Sequence, residues 1–566
     1  GAMVSGDVTV SDPSKWGLDF GTSTRWAQNI SKTTDYSTGI KWSPDDHWKF
    51  SADLQYVKSE ADADDYTLGL IVIPGSGSMS GIGSKTPSIS LDSAFMADYK
   101  NYSLGQEMTH FERNEADAKA ARFDAEYSFD DSIIKSVKAG VRYSEKTADN
   151  INTGYDWNTR YATWFGFDKN TIPKVTADQA SQYLSLYSFK DFQRGDVKVP
   201  AAGYLYSKAA TRNFKATTDA VNKNCPSESF SWACDGVVYP EWTRLADPAY
   251  GNKQEEKVAS AYAMANYAFD DLSTPIDGNL GVRVVQTKNT AHGHLVVNGV
   301  KLQNGTDVST AYSEDYDAKN DYTHVLPSLN VRLKATDNLF LRFAASKAIW
   351  APSFADLQAR ITVNPTVKEE SKTKPADQLT VSDYKLTVAQ DANPFLEPMT
   401  ANQFDLSAEW YFDDKGGMAH AGVFSKKVDG FFRKGVTNTK INGLETETTW
   451  LANVGSGDIR GAEIGVSKFF DSLPAPFDGL GIDANYTYID SKANIPLIEG
   501  VAAIDTDRSS FGQMPIDQLS KNAFNIVGMY EKDGISARLA YSWRSKYLVA
   551  WGSNGFNPDF NDNGGG

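Results

Sequence analysis

Cysteine is nearly missing from this chain. Among 566 residues there are two, Cys225 and Cys234. A fold stapled by several disulfides is thereby excluded, as is a site built from paired cysteine ligands. Histidine is scarce as well, six in all, and no spacing of His, Cys, Asp and Glu outlines a metal centre or a nucleophile with its base. Long apolar runs are absent too. The longest is Leu68 to Ile73, whereas a membrane-spanning helix needs about 18 to 20 residues. A basic excess is also lacking: 56 Lys and Arg stand against 72 Asp and Glu, a net charge of −16. Nucleic acid, which demands basic clusters, is not an expected partner. No glycine loop of the phosphate-binding kind precedes a helical pattern. Catalysis is therefore not expected.

What the chain does have is alternation. From Gln403 to Phe412 the even positions Phe404, Leu406, Ala408, Trp410 and Phe412 are apolar, and Gln403, Asp405, Ser407 and Glu409 between them are polar. A period of two is a strand with one oily and one wet face. The pattern recurs from end to end, for example in Arg122 to Phe129, Val258 to Phe269, Leu339 to Trp350 and Ile535 to Tyr547. Short turns alternate with long connections. Asp130-Asp131, Asp270-Asp271 and Asp413-Asp414 are turns; about Ala148 to Glu256 is one long connection. A loop of that length counts against a compact soluble domain but is usual outside a membrane barrel. Strand ends at the short turns carry aromatic pairs, Tyr127/Phe129, Tyr267/Phe269, Tyr411/Phe412 and Phe469/Phe470. Such rings prefer the membrane–water boundary.

These features predict an all-β fold, a transmembrane antiparallel β-barrel with long external loops and short inner turns. About seventeen strands are expected. In the last one, Arg538, Arg544 and Lys546 share the face opposite Leu539, Tyr541 and Trp543. A charge facing lipid costs about 2–4 kcal/mol at mid-membrane, so the three cations are expected to face the lumen. Asp533-Gly534 before that strand is a hairpin turn that needs positive φ. The start Gly1-Ala2-Met3 reads as the remnant of a removed tag. From residue 4 to residue 566 the chain is read as one barrel domain, incomplete at both ends.

Binding chemistry concentrates in the longest connection. Tyr155, Trp157, Trp164, Phe165, Trp232 and Trp242 supply flat aromatic faces, and Asp156, Asn158, Asp168 and Asp235 supply hydrogen-bonding groups. Sugars stack their C–H faces on such rings, so this is the candidate ligand site. Loop packing is the other use for the same aromatics. Cys225 and Cys234, nine apart in that segment, favour a local disulfide over two free thiols. His292 and His294 share a strand face and are read as part of an external hairpin rather than as a metal site. No cofactor is expected, although acidic loops leave room for a Ca²⁺ ion.

Several stretches resemble the barrel of a TonB-dependent outer-membrane receptor. They are Ala345-Ser346-Lys347-Ala348 with Ala351-Pro352-Ser353-Phe354, Asn393-Pro394 with Leu396 and Pro398, and Asp405 to Phe412. Asp478-Gly479-Leu480-Gly481 with Asn485-Tyr486-Thr487-Tyr488, Tyr530 to Gly534, and Arg544 to Leu548 complete them. The resemblance is specific from about Leu326 to Leu548 and is to a proteobacterial branch, several of whose members import oligosaccharides. It implies the family's plugged barrel of about twenty-two strands in the bacterial outer membrane, without the plug domain here. It implies lipid and lipopolysaccharide as surroundings, the TonB–ExbB–ExbD complex as partner through an N-terminal region missing here, and a small nutrient as ligand. An oligosaccharide is the expected cargo, and a ferric siderophore is the runner-up. A passive porin or surface-adhesion barrel, and a soluble all-β binding protein, are readings of other classes.

Overall fold

In the computed structural model the alternation resolves into strands. Residues 17–81, 86–159, 174–222, 250–390, 392–413, 416–441, 443–494 and 515–550 are described, with short pieces at 5–9, 172 and 559–560. Seventeen strands share one sheet. The long ones are β1 (Phe20–Trp42), β2 (Trp48–Val72), β3 (Tyr102–Ser128), β4 (Ile134–Asn152), β5 (Gly251–Phe269), β6 (Ile276–Val297), β7 (Tyr312–Thr336), β8 (Leu339–Trp350), β9 (Met399–Tyr411), β10 (Met418–Ile441), β11 (Leu444–Phe469), β12 (Leu480–Asn494), β13 (Asn522–Lys532) and β14 (Ile535–Arg544). Three shorter members, Asp156–Thr159, Arg360–Val367 and Tyr384–Gln390, come from connections. The expected strand count is therefore met once these three are included. About ten residues cross a membrane as a strand, yet β2 has 25 and β3 has 27. The excess runs beyond the bilayer.

The chain packs as two bodies, one comprising residues 1–33, 59–115 and 149–251 and the other the remainder. The first is built like a soluble domain. Every residue from Asp65 to Pro74 is buried, so this end of β2 is covered on both faces, as in an interior strand. On one face Tyr66 stacks on Trp26 at 5.4 Å and on Phe214 at 5.2 Å, and meets Phe111 edge-on at 5.7 Å. Phe214 opens the helix Phe214–Asn222, which follows the helices Ala177–Tyr183 and Lys208–Arg212. Thr176 and Gln179 close a capping box at the start of the first of these, satisfying two otherwise orphaned N–H groups. The Tyr102 ring is fully buried. Its hydroxyl donates to the Met96 carbonyl at 2.7 Å and accepts the Tyr204 N–H at 3.1 Å. The connection read as a long loop thus carries its own apolar core.

The second body is the reverse. Strands β5 to β14 pair antiparallel in chain order. Phe404, Leu406 and Trp410 are exposed, as are Leu280, Val282, Val423, Ile464, Leu539 and Tyr541. The opposite face is hydrogen-bonded. Arg332 pairs with Asp277 at 2.8 Å and Arg342 with Glu409 at 2.8 Å. Asn330 donates to Asn279, Asn525 to Asn485 and Gln403 to Ser346. An apolar exterior around a polar interior is the pattern of a barrel whose solvent is lipid. Grooves of about 430 to 560 Å³ on the exterior, for instance around Tyr36, Leu54, Tyr56 and Tyr143, are apolar and suit acyl chains rather than a polar ligand. At the short-turn ends Trp48, Phe50, Tyr127 and Phe129 form one aromatic chain with centroids 4.8 to 5.3 Å apart, and Trp410 packs on Phe412 at 5.2 Å. The expected girdle is present. Asp533 and Gly534 turn at φ of 52° and 78°, the geometry a two-residue hairpin of this kind requires.

The connection between β8 and β9 is also structured. Arg360–Val367 and Tyr384–Gln390 form a hairpin. Its first strand pairs parallel with His294–Val297 of β6, and its second pairs parallel with Thr446–Trp450 of β11. Two tall hairpins, β6/β7 and β10/β11, are thereby tied together at the long-connection end. The return of this hairpin is folded on Asp383, whose carboxylate accepts from Lys374 at 2.5 Å, from the Ser371 hydroxyl at 2.6 Å, and from the Thr380 N–H and hydroxyl at 2.9 and 2.8 Å. The Lys374 ammonium, followed by these hydroxyls and the N–H, holds the Asp383 carboxyl well below the usual carboxylate range.

Candidate functional site

On the first body, the face of the strands opposite Tyr66 carries polar side chains. Arg25 of β1 lies against Asp65 of β2, with Arg25 Nε 2.9 Å from Oδ1. The Asp65 side chain is nearly fully buried and Arg25 is half-exposed, so the carboxylate anchors the guanidinium from below. On β3, His110 is buried, with Nε2 3.3 Å from both Asn152 Oδ1 and Glu112 Oε1. Asn152 in turn donates to Glu112 at 3.3 Å. Arg113, one residue on, is held by Asp64 at 2.6 Å. Over this base lies Tyr155. Its ring stacks on His110 at 4.2 Å, and the Arg25 guanidinium sits 6.0 Å from its centroid. Tyr155 nevertheless remains exposed, as does Trp157, which stands opposite Met108 where Asp156–Thr159 pairs with β3.

The arrangement offers two exposed aromatic faces backed by an imidazole, an amide and a guanidinium, each already oriented by a partner. No cation of the platform is left without an acid, because Arg25 and Arg113 both have a carboxylate within hydrogen-bonding distance, and Glu112 adds a third carboxylate. Such an arrangement has the groups for stacking and for neutral hydrogen bonding. No group in it is arranged as a nucleophile with a base. Among the described residues no set of three or more His, Cys, Asp or Glu side chains is grouped to hold a metal.

Of the predicted binding residues, Tyr155 and Trp157, two apart in sequence, are thus both exposed. Trp164, Phe165, Asp168, Trp232, Trp242 and Asp235 lie outside the described residues, as do Cys225 and Cys234 and the side chains of Asp156 and Asn158. Arg538 and Arg544 stand across the ladder from Met529 and Ala523 of β13, on the β14 face away from Leu539 and Tyr541, and both are exposed. Arg538 reaches Glu531 at 3.1 Å, and Arg544 covers the Tyr547 ring at 4.6 Å. Lys546 is different: β14 ends at Arg544, so alternation no longer fixes the side on which Lys546 lies. His292 and His294 occur on the tall hairpin, each beside the acid across the ladder, Asp317 at 2.8 Å and Asp315 at 3.3 Å. Arg25, Asp65, His110 and Glu112 escaped the sequence reading. What unites these four is the pairing of three distant segments, which leaves no local signal.

An apolar-outside, polar-inside antiparallel wall with an aromatic girdle and long structured external connections defines a transmembrane β-barrel. The family model "TonB dependent receptor-like, beta-barrel" matches residues 81–565. The chain belongs to that family, and its place is the bacterial outer membrane. No curated protein matches it by sequence. Among solved structures, it is similar to the siderophore receptor PiuA from Acinetobacter baumannii, at 10% identity and a TM-score of 0.44, covering 98% of this chain and 70% of that one. It is also similar to the ferric-catecholate import receptor Fiu from E. coli K12, at 11% identity and a TM-score of 0.48, covering 94% and 56%. The alcaligin outer-membrane receptor FauA from Bordetella pertussis matches at 9% identity and a TM-score of 0.40, covering 93% and 65%. The chain spans less than two thirds of the last two.

Proposed function

We propose that this barrel belongs to an energised outer-membrane importer, non-enzymatic and coupled to TonB, whose cargo is a neutral oligosaccharide. The observation that carries the cargo is the aromatic platform of Tyr155 and Trp157, in which no cation is left uncompensated. A ferric chelate is anionic and calls for uncompensated Arg or Lys forks. Here Arg25 and Arg113 are matched by Asp65 and Asp64, and outside the platform Lys368, Lys385 and Arg433 are matched by Glu445, Glu447 and Asp517. Within the first body His110 and Glu112 alternate with the buried Phe111, so the platform belongs to the polar side of the strand.

The test is uptake by cells that depend on this protein, with labelled neutral oligosaccharides and labelled ferric siderophores offered in parallel. Oligosaccharide uptake that falls with Trp157→Ala and Tyr155→Ala supports the reading. Uptake of the ferric chelate alone, unaffected by either change, overturns it.

A further inference from the structure

Protein interiors rarely leave polar groups without partners, and each exception calls for a ligand or a water. One region of the second body concentrates such groups. At the external end of β5, the side chains of Asn252, Gln254 and Glu256 occupy successive positions of one face and are all buried. Across the ladder Gln254 faces Ala291, and Glu256 faces Asn289 of β6; Asn289 faces Asn320 of β7, and Thr287 faces Tyr322. Asn289 and Tyr322 are buried as well, and Asn289 donates to the Tyr322 hydroxyl at 3.4 Å. Yet both side-chain atoms of Asn252, Oε1 of Gln254, Oδ1 of Asn289 and Nε2 of nearby His324 have no hydrogen-bond partner. Glu256, the one carboxylate in the row, is met by Lys146 at 3.1 Å.

A roof covers this row. It consists of residues 351–359 and 392–398, which flank the hairpin Arg360–Gln390. The Phe354 carbonyl accepts from Gln254 Nε2 at 2.7 Å, and the Leu396 carbonyl accepts from Asn320 at 3.2 Å. Leu357, Ala359 and Leu396 are buried. At Gly293 the roof comes closest. The Ala359 carbonyl accepts the His294 N–H at 3.1 Å, and a Cβ at Gly293 would collide with that carbonyl.

We infer that Asn252, Gln254, Asn289 and His324 form a roofed subsite for a neutral polyhydroxyl unit, one glycosyl residue of the cargo. The inference deepens the proposed saccharide reading and rests on it. The unpartnered atoms include the Asn252 N–H donors and several carbonyl acceptors. A hydroxyl both donates and accepts, so a run of hydroxyls satisfies such a mixed set, whereas an anion or a cation satisfies half of it. The lone carboxylate is already neutralised by Lys146. Because the roof hydrogen-bonds to the same wall, a ligand enters only when residues 351–359 lift, which makes the segment a lid.

The test is equilibrium and stopped-flow binding of maltotriose, lactose and sucrose to the detergent-solubilised full-length protein. Wild type, Asn252→Leu with Asn289→Leu, and Gly293→Ala are compared, with folding checked by circular dichroism. Expected are at least tenfold weaker binding of the best sugar by the double variant, and several-fold faster association by Gly293→Ala, whose added methyl displaces the lid. Sugar bound equally well by wild type and the double variant overturns the subsite alone and leaves the Tyr155/Trp157 reading standing. Unchanged association in Gly293→Ala overturns the lid. Failure of wild type to bind any of the three sugars overturns the subsite together with the saccharide reading. Should the double variant not fold, Gln254→Leu replaces it with the same expected loss.

Discussion

The two bodies of this chain use opposite rules for the same residue types. In the first, Tyr66, Leu68, Leu70, Phe111 and Phe214 are buried and stacked. In the second, Leu406, Val423, Leu539 and Tyr541 are exposed, and the inward face carries Asp277, Arg332, Arg342 and Glu409 in pairs. The hydrophobic effect removes apolar surface from water, not from the surroundings in general. Where the surroundings are hydrocarbon, apolar side chains face out and backbone pairing satisfies every N–H and C=O within the sheet. Where the surroundings are water, as for the first body, the oily residues of β1, β2 and β3 need a cover of helices and short strands. A single strand therefore changes rule partway along its length.

The strongest way to break this contrast is to hollow the watery core. Phe214→Ala removes a fully buried ring that stacks on Tyr66, and a loss of about 3–5 kcal/mol is expected for such a truncation. Hydrogen exchange should show local opening over residues 59–115 and 174–222 with the exchange of β8 to β14 unchanged. Opening that spreads evenly through both bodies would contradict their separateness.

The membrane rule is tested next. Leu539→Arg places a charge on the exposed face of β14 and should cost about 2–4 kcal/mol in a bilayer, read from urea unfolding in liposomes. Ser542→Arg, on the opposite face, should cost little. Equal costs for the two would show that the face assignment is wrong.

A smaller effect is expected at the platform. Trp157→Ala should weaken sugar binding by about 1–2 kcal/mol, a factor of about 5–30, in fluorescence titration, with thermal stability unchanged because the side chain is exposed. The smallest effect separates the bridging hairpin from the rest of the second body. The folded carboxyl of Asp383 titrates below its unfolded value of about 3.9, so its contribution is present above that pH and is lost as pH falls through the folded value. Protease cleavage between residues 368 and 383 should rise in acid in the wild-type protein. Asp383→Asn should be cleaved readily at neutral pH and show a weaker acid dependence; cleavage equal to wild type throughout would remove Asp383 as the hub.

Much of the wall was legible in the sequence. Gln403 to Phe412, Leu339 to Trp350 and Ile535 to Arg544 are strands as their alternation indicates, and the aromatic pairs at Tyr127, Tyr267 and Tyr411 lie at short turns. The hairpin Arg360–Gln390 was not legible. It lies in a stretch rich in Lys, Thr and Pro, and its pairing with β6 and β11 is between segments far apart in sequence. Leu68 to Ile73 is an apolar run too short to span a membrane as a helix, and periodicity alone does not tell a buried strand from a buried helical segment; its neighbours decide. The platform was half legible: the aromatic residues Tyr155 and Trp157 are conspicuous, whereas the Asp65, His110 and Glu112 beneath them are not.

By itself, then, the sequence determined which residues of an alternating strand share a face, because a period of two is a local property of one strand. The tertiary structure alone decided what stands beneath Tyr155, what roofs Asn252 and Asn289, and which hairpins are tied together. Those depend on register and on pairings between distant segments, and alternation fixes a side chain's face without fixing its neighbour.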